Sequence, residues 1–169
     1  MKKFSILLTI ICLTIGQYSF ACDCDSQDEF KKAAPQSEFV ALVKVTKYLT
    51  YKNIYGVQAP ISMELEIVEI YKGKEKRKKI TVWGGDVNMC RPMLNKFKEN
   101  QYYVIALDKV VEKSNEVSHQ GEKSSDYFIA KCGERWLSAD VKKGTTTNWM
   151  TEEVKESSLT EIKALFLKD

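Results

Sequence analysis

Two cysteines separated by a single residue, Cys22 and Cys24, limit what this chain can fold into more than any other feature. They are too close along an extended chain to bond one another without strain. Each must therefore reach a distant partner, and Cys90 and Cys132 are the two available, in either combination. The fifth cysteine, Cys12, lies in a stretch with the marks of a secretory leader. Lys2 and Lys3 form a basic start, Phe4 to Ile15 an apolar run, and Ser19-Phe20-Ala21 a small-x-small cleavage site. Cleavage after Ala21 would remove residues 1–21, Cys12 included, and leave an even set of four cysteines, as an oxidising compartment favours. It would also make Cys22 the N-terminal residue, so that a free α-amino group sits on a disulfide-held cysteine. Two bridges closing long loops are each worth about 3–5 kcal/mol in the chain-entropy model, and together they should pin the N-terminus at two points.

The apolar run of the leader is too short, and wrongly flanked, to span a membrane, and no transmembrane segment is expected in the mature chain. The expected location is secreted, either extracellular or periplasmic. Lipidation of Cys22 is the rival outcome, with the chain held on a membrane by its acyl groups. Ser19 and Phe20 fit a lipobox poorly, because that signal prefers leucine and a small residue at their positions. Loss of Lys2 and Lys3 lowers the formal charge from +3 to +1, which implies no nucleic-acid partner. Residues 22–169 suffice for a single domain with a sizeable core.

Along those residues, Asp28 to Ala34 predicts a short helix stopped by Pro35. From Phe39 the pattern turns to period two: Phe39, Ala41, Val43 and Val45 face one way, and Val40, Leu42, Lys44 and Thr46 the other. A strand buried on one face and partly covered on the other fits this pattern. Met63, Leu65 and Ile67 alternate with glutamates before the apolar phase passes to Val68 and Ile70, as a bulged strand requires. Further strands are expected at Ile80–Trp83, Tyr102–Leu107 and Tyr127–Ala130. Ser158 and Glu161, in capping-box spacing, introduce a helix over about 158–168 with Leu159, Ile162, Leu165 and Phe166 on its apolar side. The stretches from Thr46 to Pro60 and from Asp108 to Asp126 read as polar loops. Five strands and one closing helix predict a mainly β fold built on a small closed barrel.

The start Cys22-Asp23-Cys24, the strand Phe39–Val45 and the strand and turn Val68-Glu69-Ile70-Tyr71-Lys72-Gly73 together resemble the netrin-like module of the tissue inhibitors of metalloproteinases. Ile80-Thr81-Val82-Trp83 ahead of Cys90, Tyr102–Ala106, and Cys132 followed by Trp136-Leu137-Ser138 complete the likeness, which covers most of residues 22–140. The resemblance implies a five-stranded OB-type closed barrel over about 22–140, flanked by short helices. It also implies the pairings Cys22 with Cys90 and Cys24 with Cys132. In that family the amine and carbonyl of the N-terminal cysteine chelate the catalytic zinc of a protease. The role carries over to Cys22 alone, as a backbone ligand to a zinc metalloendopeptidase's metal in trans, with Asp23 and Cys24 beside it in the inhibitory segment. The family's third N-terminal-domain disulfide and its separate C-terminal domain have no cysteines here. Asp23 stands where the inhibitors place the residue that enters the protease's apolar pocket, and burying a carboxylate there without a partner costs several kcal/mol.

Other features admit a plainer reading beside a functional one. Cys22 and Cys24 would serve as staples whatever else they do. Lys72, Lys74, Lys76, Arg77, Lys78 and Lys79 crowd the connection between two strands, either as a solvated tip that discourages edge pairing or as a site for an acidic glycan or anionic headgroup. The second of these supports the alternative function, an extracellular or cell-surface adhesion module that binds a protein or an acidic glycan. Gly84-Gly85 reads as a bend, because no phosphate-loop pattern follows it. Trp83 and Trp136 are expected to pack beneath strands. His119 is the only histidine, in a polar loop. With the four cysteines in disulfides, neither a protein-held zinc site nor a Cys-His dyad can be assembled. No enzymatic activity and no cofactor are expected.

Overall fold

The computed structural model describes Cys24 and residues 27–86, 89–111, 118–150 and 153–167. The leader, Cys22 and Asp23 lie outside the described residues. Within them the chain is mainly β, with a short helix α1 (Phe30–Ala33) that continues into a 3-10 turn at Ala34–Gln36, where Pro35 sits. The strands are β1 (Phe39–Ile54), β2 (Val57–Lys72), β3 (Lys79–Trp83), β4 (Tyr102–Lys109), β5 (Tyr127–Phe128), β6 (Trp136–Asp140), β7 (Thr145–Thr147) and β8 (Glu156–Ser158), and a second helix, α2, spans Leu159–Ala164. No helix among the described residues is long and apolar enough to cross a membrane.

Five strands close a ring. β1 pairs antiparallel with β2 and β2 with β3, β3 runs parallel to β5, β5 pairs antiparallel with β4, and β4 returns to β1 over Phe39↔Leu107 to Lys44↔Tyr102. β6, β7 and β8 then extend the sheet from the second edge of β4. The alternation in β1 decides what lies on either side. Phe39, Ala41, Val43 and Val45 point into the ring with Met63, Leu65, Ile80, Val82, Ile105 and Leu107. Val40 and Leu42 point outward, where Val104, Ala106 and Leu137 join them beneath Phe30 of α1, Ile162 of α2 and Phe166 just after it. Each Val, Leu, Ile, Phe or Met among them gains about 1.5–3 kcal/mol on burial, so two opposed cores hold the one strand from both faces. The Ser158 hydroxyl accepts from Glu161 N–H at 3.0 Å, and Leu159, Ile162, Leu165 and Phe166 all pack against the outer core.

Four expectations need correction. Thr46 to Pro60 is not a loop: β1 and β2 continue as an antiparallel arm that turns at Tyr55 and Gly56, whose φ angles of 51° and 85° suit a two-residue hairpin turn. The Asn53 side chain accepts from Gly56 N–H at 2.8 Å, and the polar residues that suggested a loop are there because both faces of the arm meet solvent. The strand expected at Tyr127–Ala130 is shorter, Tyr127–Phe128, and β6 to β8 follow it, so eight strands are described where five were expected. The apolar phase does not pass to Val68. The register steps from Leu42↔Glu69 to Val43↔Ile67, which leaves Val68 as the extra, exposed residue of the bulge while Ile67 and Ile70 pack on the inner core. The closing helix ends at Ala164, four residues short of the expected limit near 168.

Candidate functional site

The segment that begins at Cys24 is fixed to the loop after β5. Cys24 and Cys132 form the expected disulfide, with Cα atoms 5.4 Å apart. Cys90 is likewise disulfide-bonded, and Cys22, the partner that the resemblance implies, lies outside the described residues, as does Asp23. Among the described residues, one bridge of the expected pair is therefore seen.

Around that bridge the chain Cys132-Gly133-Glu134-Arg135 wraps the start of the fold. Glu134 N–H donates to Asp28 O at 2.8 Å. Its carboxylate, on a residue 2% exposed, accepts from Phe30 N–H at 3.2 Å, Trp149 N–H at 2.9 Å and Met150 N–H at 3.2 Å. One buried acid thus satisfies the first turn of α1 and a distant loop at once, and hydrogen bonding by three donors is what makes a buried carboxylate tolerable. Arg135 Nε donates to Cys132 O at 2.8 Å, and its Nη1 to Ala33 O at 2.7 Å and Ser37 Oγ at 3.0 Å. Burial pushes the guanidinium's pKa down, and nearby Asp108 opposes the shift. Gly133 has φ +78°, and a Cβ there would lie 2.8 Å from Ala33 Cβ, so this close wrap needs glycine. Neither Glu134 nor Arg135 was singled out in the sequence. Two charged residues just past Cys132-Gly133, at a cysteine that must bridge to Cys22 or Cys24, were the available signal, but nothing in their spacing says that they are buried.

Cys90 follows a second close approach. Gly85 N–H donates to Pro92 O at 2.9 Å, and Cβ atoms at Gly84 and Gly85 would meet Leu94 Cγ at 2.5 Å and Arg91 O at 2.3 Å. The glycine pair is thus a bend that lets residues 91–94 fold back on the end of β3. Trp83 packs beneath that bend, its Nε1 donating to Asp126 Oδ2 at 2.9 Å. His119, read as a loop residue, is buried against it, the rings 5.6 Å apart at 27°. Trp136 is also buried, and Trp149 stacks on it at 4.2 Å with Lys96 Nζ 4.2 Å from the Trp149 ring. No three His, Cys, Asp or Glu side chains come together as a metal site among the described residues.

The basic run between β2 and β3 is less free than its composition suggests. Arg77 folds back on Glu75 at 2.6 Å and donates to Ser125 O at 2.7 Å, Lys79 bonds Glu64 at 2.9 Å, and Lys72 Nζ donates to Pro35 O at 2.6 Å. Glu75 also accepts from the Tyr127 hydroxyl at 3.0 Å, with Lys109 Nζ 3.7 Å away. The Arg77 guanidinium holds the Glu75 carboxyl well below the usual range, and burial followed by the Glu75 bond pushes the Tyr127 phenol up to about 12. Lys74, Lys76 and Lys78 remain exposed, with no ion pair among the described residues. Of the six cations, Lys72, Arg77 and Lys79 are thus bonded to the fold, while Lys74, Lys76 and Lys78 have no ion pair among the described residues.

Comparison with models of known protein families and with curated proteins finds no match.

Proposed function

We propose that the ring of five strands is an OB-type barrel of netrin-like kind and that the chain is a secreted inhibitor of zinc metalloendopeptidases. In this reading the leader is cut after Ala21 and Cys22 pairs with Cys90. The amine and carbonyl of Cys22 then take two coordination positions on the protease zinc and displace its water. The observation that carries the reading is the Cys24–Cys132 bridge. It is the pairing that the resemblance implied, and with the Glu134 and Arg135 contacts it gives the residue two places after Cys22 a fixed anchor. A rigidly held chelating end loses little conformational freedom on binding, which is where an inhibitor of this type gains affinity. Near neutral pH the neutral amine that chelation needs is accessible, since an α-amino group titrates near 7.7–8.0. Asp23 directs the choice of target towards proteases whose pocket is basic or polar.

The test is a panel of zinc endopeptidases assayed with protein beginning at Cys22 and with a form carrying one added alanine before it. Inhibition by the first and its loss in the second, with equal thermal stability, is the expected result. Equal potency of the two forms rules out chelation by the amine. A second reading rests on exposed Lys74, Lys76 and Lys78: an adhesion module that binds an acidic glycan, with affinity that falls steeply as salt rises because exposed charges are screened over about a Debye length. Inhibition by neither form, together with salt-sensitive heparin binding, would favour it.

A further inference from the structure

At the root of the β1–β2 arm, away from the basic run, lies a pocket of about 380 Å³. Tyr51, Lys52 and Ile61 of the arm face Asp86 from the bend after β3, and His119 and Gln120 close it from the segment ahead of β5. Asp86 is buried, its side chain 3% exposed, and its Oδ2 lies 2.6 Å from Nζ of Lys52, whose side chain is 49% exposed. A buried carboxylate of this kind keeps its charge only with a partner beside it. His119 Nε2 lies 3.0 Å from Gly84 O. A carbonyl only accepts, so Nε2 carries a proton, and in the neutral ring Nδ1 is an acceptor. The lining therefore combines an ammonium donor, a carboxylate acceptor, an imidazole and an amide, with Tyr51 and Ile61 beside them.

We infer that this pocket binds a neutral sugar unit. The charge pattern selects the class. An anion drawn to Lys52 would meet the Asp86 carboxylate beside it, and a cation drawn to Asp86 would have to displace Lys52 from a charge-assisted bond. A neutral polyol fits the pair as it stands, because one hydroxyl accepts from the ammonium while its neighbour donates to the carboxylate, and neither charge loses its partner. The amide of Gln120 can donate to or accept from a further hydroxyl. The C–H face of a pyranose is apolar and suits the part of the lining that Tyr51 and Ile61 supply. The volume lies in the range of small-ligand pockets, and the polar groups converge from three separate segments of the chain.

The test uses the oxidised protein and a panel of neutral trisaccharides (maltotriose, cellotriose, mannotriose, chitotriose) with hyaluronan and heparin fragments beside them, read by ligand-observed NMR and by calorimetry. At least one neutral trisaccharide binds, its affinity is unchanged by added salt, and Tyr51→Ala and Gln120→Ala each weaken it by about tenfold or more. Both positions are exposed, so these variants should keep the wild-type melting temperature, whereas Asp86→Asn risks the fold. Tyr55→Ala, at the arm tip outside the pocket, leaves affinity unchanged. Three results overturn the inference: no neutral trisaccharide bound up to about 10 mM, equal affinity in the Tyr51 and Gln120 variants, or binding confined to the acidic fragments and lost with salt. None of them bears on protease inhibition, which is measured separately.

Discussion

At the scale of single residues, the buried acids carry more of the architecture than the basic run that dominates the sequence. Glu134→Ala removes the carboxylate that accepts from three backbone N–H groups, those of Phe30, Trp149 and Met150. Leaving buried donors unsatisfied costs about 1–3 kcal/mol each where water cannot reach them, so a loss of about 3 kcal/mol is expected in urea unfolding. Glu134→Gln should recover only part of it, because the amide nitrogen would face a donor. Glu75 gives the pH dependence. Its carboxyl, held below its ordinary 4.5 chiefly by the Arg77 hydrogen bond, adds stability above the unfolded value, and that stability is lost as pH falls through the folded one. The melting temperature of the wild type should therefore fall on acidification from about pH 5 towards pH 2, and Glu75→Gln should start lower and show a shallower slope over the same window. An equal slope would mean that Glu75 is not a source of the acid sensitivity. A charged residue's burial was not legible from the sequence: Glu75 and Glu134 read like any acid in a polar stretch, and only the approach of Tyr127, 52 residues from Glu75, and of Phe30, 104 residues from Glu134, encloses them.

At the scale of elements, what could be read depended on whether an element buries an apolar face at all. β1 was legible over Phe39–Val45 because its two faces enter two cores, and α2 was legible because its cap and its apolar stripe agree. The arm beyond Tyr48 was not, since a ribbon with solvent on both faces has no apolar alternation to read. β7 and β8 are three residues each, too short for any periodic signal. The arm's own stability should be local. Nothing lies within 4 Å of a Cβ at Gly56, whose φ is +85°, so Gly56→Ala adds backbone strain of about 1 kcal/mol and no clash. Hydrogen exchange should speed up at residues 50–60 in that variant, with amides of the inner core in β4 unchanged. Faster exchange in β4 would mean that arm and ring unfold together.

At the scale of the whole molecule, the ring is closed at β5 by a short contact: two residue pairs to β3 and two to β4. Closure by so few pairs leaves the Cys24–Cys132 bridge and the wrap around α1 to hold the segment from Cys24 to Ala33 on the ring. Cys24→Ser with Cys132→Ser opens a loop of 108 residues in sequence separation, and a loss of about 4–5 kcal/mol is expected from chain entropy alone, measured by thermal unfolding under non-reducing conditions. A loss below about 1 kcal/mol would show that Glu134 and Arg135 keep the N-terminal segment in place by themselves. The ring of five strands was within reach of the strand count. The eight-stranded sheet was not, because β6 to β8 depend on the free edge that β4 offers beyond β5. The sequence distance between Cys24 and Cys132 also sets an order of assembly. At about 5–20 residues per second, the ribosome makes Cys24 some 5–20 seconds before its partner, and Cys90 emerges first. The early thiol of Cys24 is thus offered Cys90 before its own mate exists, and any chain that closes that bridge during synthesis has to exchange it before Cys24 can join Cys132.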